Sequence, residues 1–121
     1  MAEKRILVIE DEPFIRKSIV SFLELEKYNV TSVSTVRRAI HYIEANEFDL
    51  VITDIMLPYS GGFEIIEHLK THPWKSVVPV VILTGMDKDV MNATYSEADA
   101  YLFKPFSPKE LLDTVKLIFG K

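Results

Sequence analysis

Five short apolar runs alternate with segments of helical periodicity along this chain. The runs cover residues 6–9, 30–33, 50–52, 80–83 and 101–103. Most are near-continuous and rich in Val and Ile, as expected of strands covered on both faces. The second, Val30-Thr31-Ser32-Val33, is weaker and reads as an edge strand. Between the runs, apolar residues recur at i, i+3 and i+4 spacing, the signature of an amphipathic helix. Phe14, Ile15, Ser18, Ile19, Phe22 and Leu23 trace the first face, and Val36, Ala39, Ile40 and Ile43 the second. Phe63, Ile66 and Leu69 form the third; Val90, Met91, Thr94, Tyr95 and Ala98 a weaker fourth; Leu111, Leu112, Val115, Ile118 and Phe119 a strong fifth. Strand and helix therefore alternate five times, which predicts an α/β fold with a parallel sheet and helices on both faces.

Local signals agree with this frame. Ser107-Pro108-Lys109-Glu110 places Ser at the N-cap, Pro at the first helical position and Glu two residues later, a capping box, and Gly120 follows as a stop. Pro13 suits the first turn of the first helix, and Pro58 with Gly61-Gly62 marks a loop before the third. At 121 residues the chain suits one domain that buries about two-thirds of its unfolded surface. No linker or repeat divides it, so residues 1–121 are expected to form one unit.

Composition removes several function classes. The net charge of −4 argues against direct binding of nucleic acid, and Arg37-Arg38 is too small a basic patch to reverse that. The absence of cysteine excludes thiolate nucleophiles, disulfides and Cys-ligated metal centres. No apolar stretch is long enough for a secretion signal or a membrane span, so a cytoplasmic protein is expected. Ser60-Gly61-Gly62 lacks the Lys-Ser/Thr of a phosphate loop, and no Gly-x-Ser-x-Gly element is present.

In an open parallel sheet, ligands bind beyond the carboxyl ends of the strands. Glu10, Asp11 and Glu12 follow the first run, Asp54 the third, Thr84-Gly85 the fourth and Lys104-Pro105 the fifth. Carboxylates, a hydroxyl and an ammonium thus converge on one rim. Two carboxylates about 5 Å apart repel by roughly 3 kcal/mol at an effective dielectric near 20. Glu10, Asp11 and Asp54 against Lys104 leave two net negative charges, which a divalent cation would cancel. The ligands are all oxygen, which suits Mg²⁺ or Mn²⁺ better than Zn²⁺. Spacing alone equally accommodates three solvated carboxylates at loop starts.

Four motifs stand in order at the strand ends: Ile9-Glu10-Asp11-Glu12-Pro13, Asp54-Ile55-Met56-Leu57-Pro58 with Gly62, Thr84-Gly85, and Tyr101-Leu102-Phe103-Lys104-Pro105-Phe106. With them the chain resembles the receiver domain of two-component response regulators. The resemblance implies a flavodoxin-like, doubly wound sheet of strand order 2-1-3-4-5. It implies that Asp54 accepts a phosphoryl group from a sensor histidine kinase or phosphotransfer protein. Asp11, Asp54 and the backbone carbonyl of Met56 would ligate Mg²⁺, with Glu10 reaching it through water. Lys104 would pair with the phosphoryl oxygens, and the Lys104–Pro105 bond would be cis. Thr84 would swing onto the phosphoryl group and Tyr101 turn inward behind it. The face formed by the fourth helix, fifth strand and fifth helix would then change its preference for a downstream protein. No nucleic acid or membrane partner is implied, and the chain would be a monomer or a phosphorylation-dependent dimer.

Two departures from the family pattern matter. Glu97-Ala98-Asp99 stands where Gly-Ala-Asp is common, which puts the end of the fourth helix in question. Met56 and Met86 flank the site and offer no polar group to position a hydrolytic water, so slow autodephosphorylation is expected. His68 and His72, at i and i+4, read as complements to a helix carboxyl end before Pro73 rather than a metal pair, and His41 as an exposed helical residue. Three other readings are open: an aspartyl-phosphate phosphatase, a receiver-like module that binds partners without phosphate, and the receiver part of a longer regulator. Met56, where a haloacid-dehalogenase pattern wants a second Asp, argues against the first.

Overall fold

A computed structural model describes residues 3–55, 63–85 and 98–120. Its strands are β1 (Arg5–Ile9), β2 (Asn29–Val33), β3 (Leu50–Asp54), β4 (Val80–Thr84) and β5 (Ala100–Phe103). The described helices are α1 (Pro13–Leu25), α2 (Val36–Ala45), α3 (Phe63–Thr71) and α4 (Pro108–Phe119). All strand pairs are parallel, in the order β2-β1-β3-β4-β5. This is the order the resemblance implies, with β2 at an edge. Of the fourth helical pattern, Val90, Met91, Thr94 and Tyr95 lie outside the described residues, as do Met56, Gly61, Gly62, Met86 and Glu97.

The period-2 geometry of each strand divides the core in two. Leu7, Ile9, Val51, Val80 and Ile82 face one side, where they meet Val36, Ala39 and Ile43 of α2 and Ile65, Ile66 and Leu69 of α3. Ile6, Val8, Leu50, Ile52, Val81 and Leu83 face the other, against Ile19 and Leu23 of α1 and Leu111 and Val115 of α4. Both faces of β1, β3 and β4 are buried, which is why those runs are continuous rather than alternating. The uneven burial of β2 follows from its edge position.

Helix ends follow the sequence signals in part. Ser107 and Glu110 form the capping box of α4 reciprocally, with N···O distances of 3.0 and 3.2 Å. Glu12 caps α1 by accepting from the Ile15 amide at 2.8 Å. Helix α1 ends less conventionally. Lys27 adopts φ 71°, the Lys27 amide donates to Glu24 O at 3.0 Å, and the Tyr28 amide donates to Leu23 O at 3.3 Å. That is a Schellman cap with lysine in the left-handed position that glycine usually holds.

Candidate functional site

The register of the sheet assembles the site. Ile9 pairs with Thr53, so Glu10 comes level with Asp54 at the end of β3. Asp54 pairs with Leu83, and Thr84 with Phe103, so Thr84 and Lys104 follow in steps along the same edge. Backbone bonds continue this registry past the strands: Glu10 N–H donates to Val33 O at 3.1 Å and Lys104 N–H to Thr84 O at 2.7 Å. The Lys104–Pro105 peptide is cis, as the resemblance implies.

Glu10, Asp11 and Asp54 each offer a carboxylate oxygen within 4.8 Å of the others. Glu10 and Asp54 are buried, whereas Asp11 is exposed. Lys104 reaches in from the opposite side. Its Nζ lies 2.8 Å from Asp54 Oδ2, as a hydrogen bond, and 2.7 Å from Glu10 Oε1. The Glu10 contact is an ion pair outside hydrogen-bond geometry, so buried Oε1 is left without an aligned donor. Burial pushes the Glu10 carboxyl above its ordinary value, and Lys104 only partly opposes this. Burial works to lower the Lys104 ammonium, but the nearby carboxylates of Asp54 and Glu10 prevail and hold it above the usual lysine value.

These residues fit a hard divalent cation. The donors are all oxygen, they carry excess negative charge, and one buried oxygen lacks an aligned donor. Thr84 is buried at the end of β4, and Tyr101 is half-buried in β5 with its ring centroid 6.2 Å from that of Phe103. Of the sequence-predicted set, Glu10, Asp11, Asp54, Thr84 and Lys104 therefore share one rim, Tyr101 stands on the neighbouring strand, and Met56 lies outside the described residues. An open, mostly apolar groove of about 550 Å³ runs beside Lys104, between Phe14, Ile15 and Phe22 of α1 and Pro105, Phe106 and Pro108.

Other contacts were not legible in the pattern. His68 Nε2 and His72 Nε2 lie 3.1 and 3.5 Å from the two oxygens of Glu44 on α2. His72 Nδ1 also accepts from the Trp74 and Lys75 amides, at 3.1 and 3.2 Å, which shapes the turn beyond α3. Lys75 Nζ, buried, donates to the carbonyls of Ile43 and Asn46 at the carboxyl end of α2. His68 and Lys70 stand in the last turn of α3, and Lys75, from the loop beyond it, complements the end of α2, a contact that helical periodicity does not carry.

Residues 6–116 match the response regulator receiver domain family. The phosphate regulon transcriptional regulatory protein PhoB of Escherichia coli is 36% identical over 120 residues, covering 98% of this chain and 52% of that protein. The chain thus spans about half the length of the curated relatives it matches. A putative response regulator from Chloroflexus aurantiacus superposes with a TM-score of 0.91 at 27% identity, covering 99% of this chain and 100% of that one. The response regulator protein TrrA from Thermotoga maritima, solved in complex with Mg²⁺ and BeF, gives a TM-score of 0.84 at 31% identity, covering 95% and 98%.

With this fold and this rim, the chain belongs to the response regulator receiver family of two-component systems. Members of the family are signalling modules rather than turnover enzymes; they interact with histidine kinases and switch on phosphorylation. No helix among the described residues is long and apolar enough to cross a membrane.

Proposed function

We propose that this chain is a cytoplasmic receiver, spanning residues 1–121, that accepts a phosphoryl group on Asp54 from a histidine kinase or phosphotransfer protein and thereby changes its affinity for a downstream protein. The observation that carries this reading is the convergence of Glu10, Asp11 and Asp54 within 4.8 Å of one another, with Lys104 bound to two of them.

A carboxylate oxygen of Asp54 attacks phosphorus as the P–N bond of a phosphohistidine breaks. The imidazole leaves with the bond's electron pair, and an acyl phosphate forms. A carboxylate nucleophile has no proton to give up on attack, so the step calls for no general base. Phosphoryl transfer depends on positioning and on stabilising charge over the phosphoryl oxygens. Lys104 supplies a cation for those oxygens, held in place by the Thr84 carbonyl. Asp11, Asp54 and the Met56 carbonyl would hold Mg²⁺, with Glu10 reaching it through water, and the ion, or Mn²⁺ in its place, would supply further charge neutralisation. Thr84 turns onto the new phosphoryl group and Tyr101 follows inward. The output face comprises β5, α4 and the segment carrying the fourth helical pattern. Activated chains remain monomeric or pair with a second copy.

The chain acts on itself, both in taking up phosphate and in losing it, and does not turn over a pool of substrate. Incubation with acetyl phosphate and Mg²⁺ tests this. Intact mass should show one added phosphoryl group in the wild type and none in Asp54→Asn. A phosphorylated Asp54→Asn chain would identify a different acceptor. No adduct on the wild type, with partner binding intact, would favour a module that works without phosphate. Met56 and Met86 give the second reading, a long-lived phospho-form, which a half-life of seconds in Mg²⁺ buffer would overturn. The alternative reading is the receiver part of a longer regulator, as this chain matches 52% of PhoB.

A further inference from the structure

The exposed carboxylate of Asp11 has no hydrogen bond or ion pair with the protein among the described residues. Glu10 and Asp54, by contrast, are both bound by Lys104. The aim of Asp11 therefore depends on its own backbone. That backbone is held from two sides: the Glu12 amide donates to Glu10 Oε2 at 3.0 Å, and one guanidinium reaches the flanking carbonyls. Arg16, in the first turns of α1, donates from Nη1 to the carbonyl oxygen of Glu10 at 2.9 Å and lies 3.5 Å from that of Asp11. The two carbonyls belong to the peptide groups on either side of the Asp11 Cα. Both contacts come from one nitrogen, Nη1, whose two N–H groups lie in the plane of a rigid, always-charged guanidinium.

Resting on the metal-binding reading above, we propose that Arg16 is a positioning residue for that site: it fixes the peptide groups flanking Asp11, so that the Asp11 carboxylate is aimed before the cation arrives. Arg16 touches neither the cation nor the phosphoryl group. Its positive charge opposes a divalent ion nearby, so its charge and its tether act on Mg²⁺ affinity in opposite directions. That opposition makes the tether measurable.

The experiment is a Mg²⁺ titration by calorimetry of the wild type, Arg16→Ala and Arg16→Lys, with melting curves in EDTA as a folding control. Arg16→Ala should bind Mg²⁺ about tenfold more weakly, the size seen when groups that orient metal ligands are removed. Lysine keeps the charge but not the planar, rigid donor group, so Arg16→Lys should fall between the two. Unchanged or tighter binding by a folded Arg16→Ala would mean that only charge was removed, and would overturn the proposal. Should Arg16→Ala fail to fold, Arg16→Lys decides alone: weaker binding supports the tether and equal binding overturns it. A wild type that binds no Mg²⁺ would overturn the metal reading itself, and the tether with it.

Discussion

The Lys104 ammonium is hydrogen-bonded to Asp54 at 2.8 Å, although fifty residues separate them in the chain. The same nitrogen stands 2.7 Å from Glu10, whose side chain is fully buried. One cation thus offsets two buried carboxylates in the absence of metal. Lys104→Met removes that cation from both carboxylates, and breaking a buried pair costs about 3 kcal/mol. Melting in EDTA should fall by roughly 10 °C for a domain of this size. Excess Mg²⁺ should recover most of that loss. A variant that melts with the wild type in EDTA would show that Lys104 is not the compensating charge.

Metal linkage gives a second expectation. A cation that binds the folded rim and not the unfolded chain stabilises by about 2.7 kcal/mol at a hundredfold excess over its Kd. The melting temperature should rise by roughly 10 °C. Asp11→Asn should lose most of that rise while melting normally in EDTA, because Asp11 is exposed and its side chain has no hydrogen bond or ion pair to lose among the described residues. Melting curves with and without Mg²⁺ measure both effects, and an equal rise in Asp11→Asn would remove Asp11 from the site.

Much of this arrangement was legible in sequence, and the reason is physical. The strands of a sheet covered on both faces must be continuous apolar runs, and polar residues such as Asp54 and Thr84 mark where those runs end. The strand-end motifs therefore locate the rim. The contacts made across it were less legible. Nothing in the spacing of Arg16 announces a bond back to the Glu10 carbonyl, and nothing in Lys75 announces that it serves the end of α2. Both depend on where a loop or turn returns in space. The left-handed Lys27 was equally hidden, because no glycine or asparagine marks that position.

Glu10 provides a test by pH. Burial raises its carboxyl above the unfolded value of 4.5 even with Lys104 beside it. The fold therefore favours the protonated form. The stability this contributes is full below 4.5 and is lost as pH rises through the raised folded value. At neutral pH in EDTA the wild type carries the cost of a buried charge, and Glu10→Gln does not. Glu10→Gln should thus melt higher than the wild type at pH 7, with the difference closing as pH falls toward 4. Paired melts across that range measure it. A difference that persists unchanged at acid pH would trace the effect to packing rather than to charge.

Lys27 supplies a prediction independent of the site. A left-handed backbone places Cβ too near the following carbonyl and costs a non-glycine residue about 1–2 kcal/mol. Lys27 accepts that conformation because the Schellman cap needs it: the Lys27 and Tyr28 amides close onto Glu24 and Leu23 there. The lysine side chain is exposed and makes no ion pair among the described residues. Lys27→Gly keeps both cap bonds and removes the strain, while glycine's extra freedom in the unfolded chain returns part of the gain. The net stabilisation should be about 0.5–1 kcal/mol, a rise of roughly 2–4 °C in melting temperature. Lys27→Ala retains the Cβ and should give no such rise. Chemical denaturation of the three chains in EDTA separates these outcomes. Equal gains in Gly and Ala would trace the effect to the lysine side chain rather than to the backbone turn between α1 and β2.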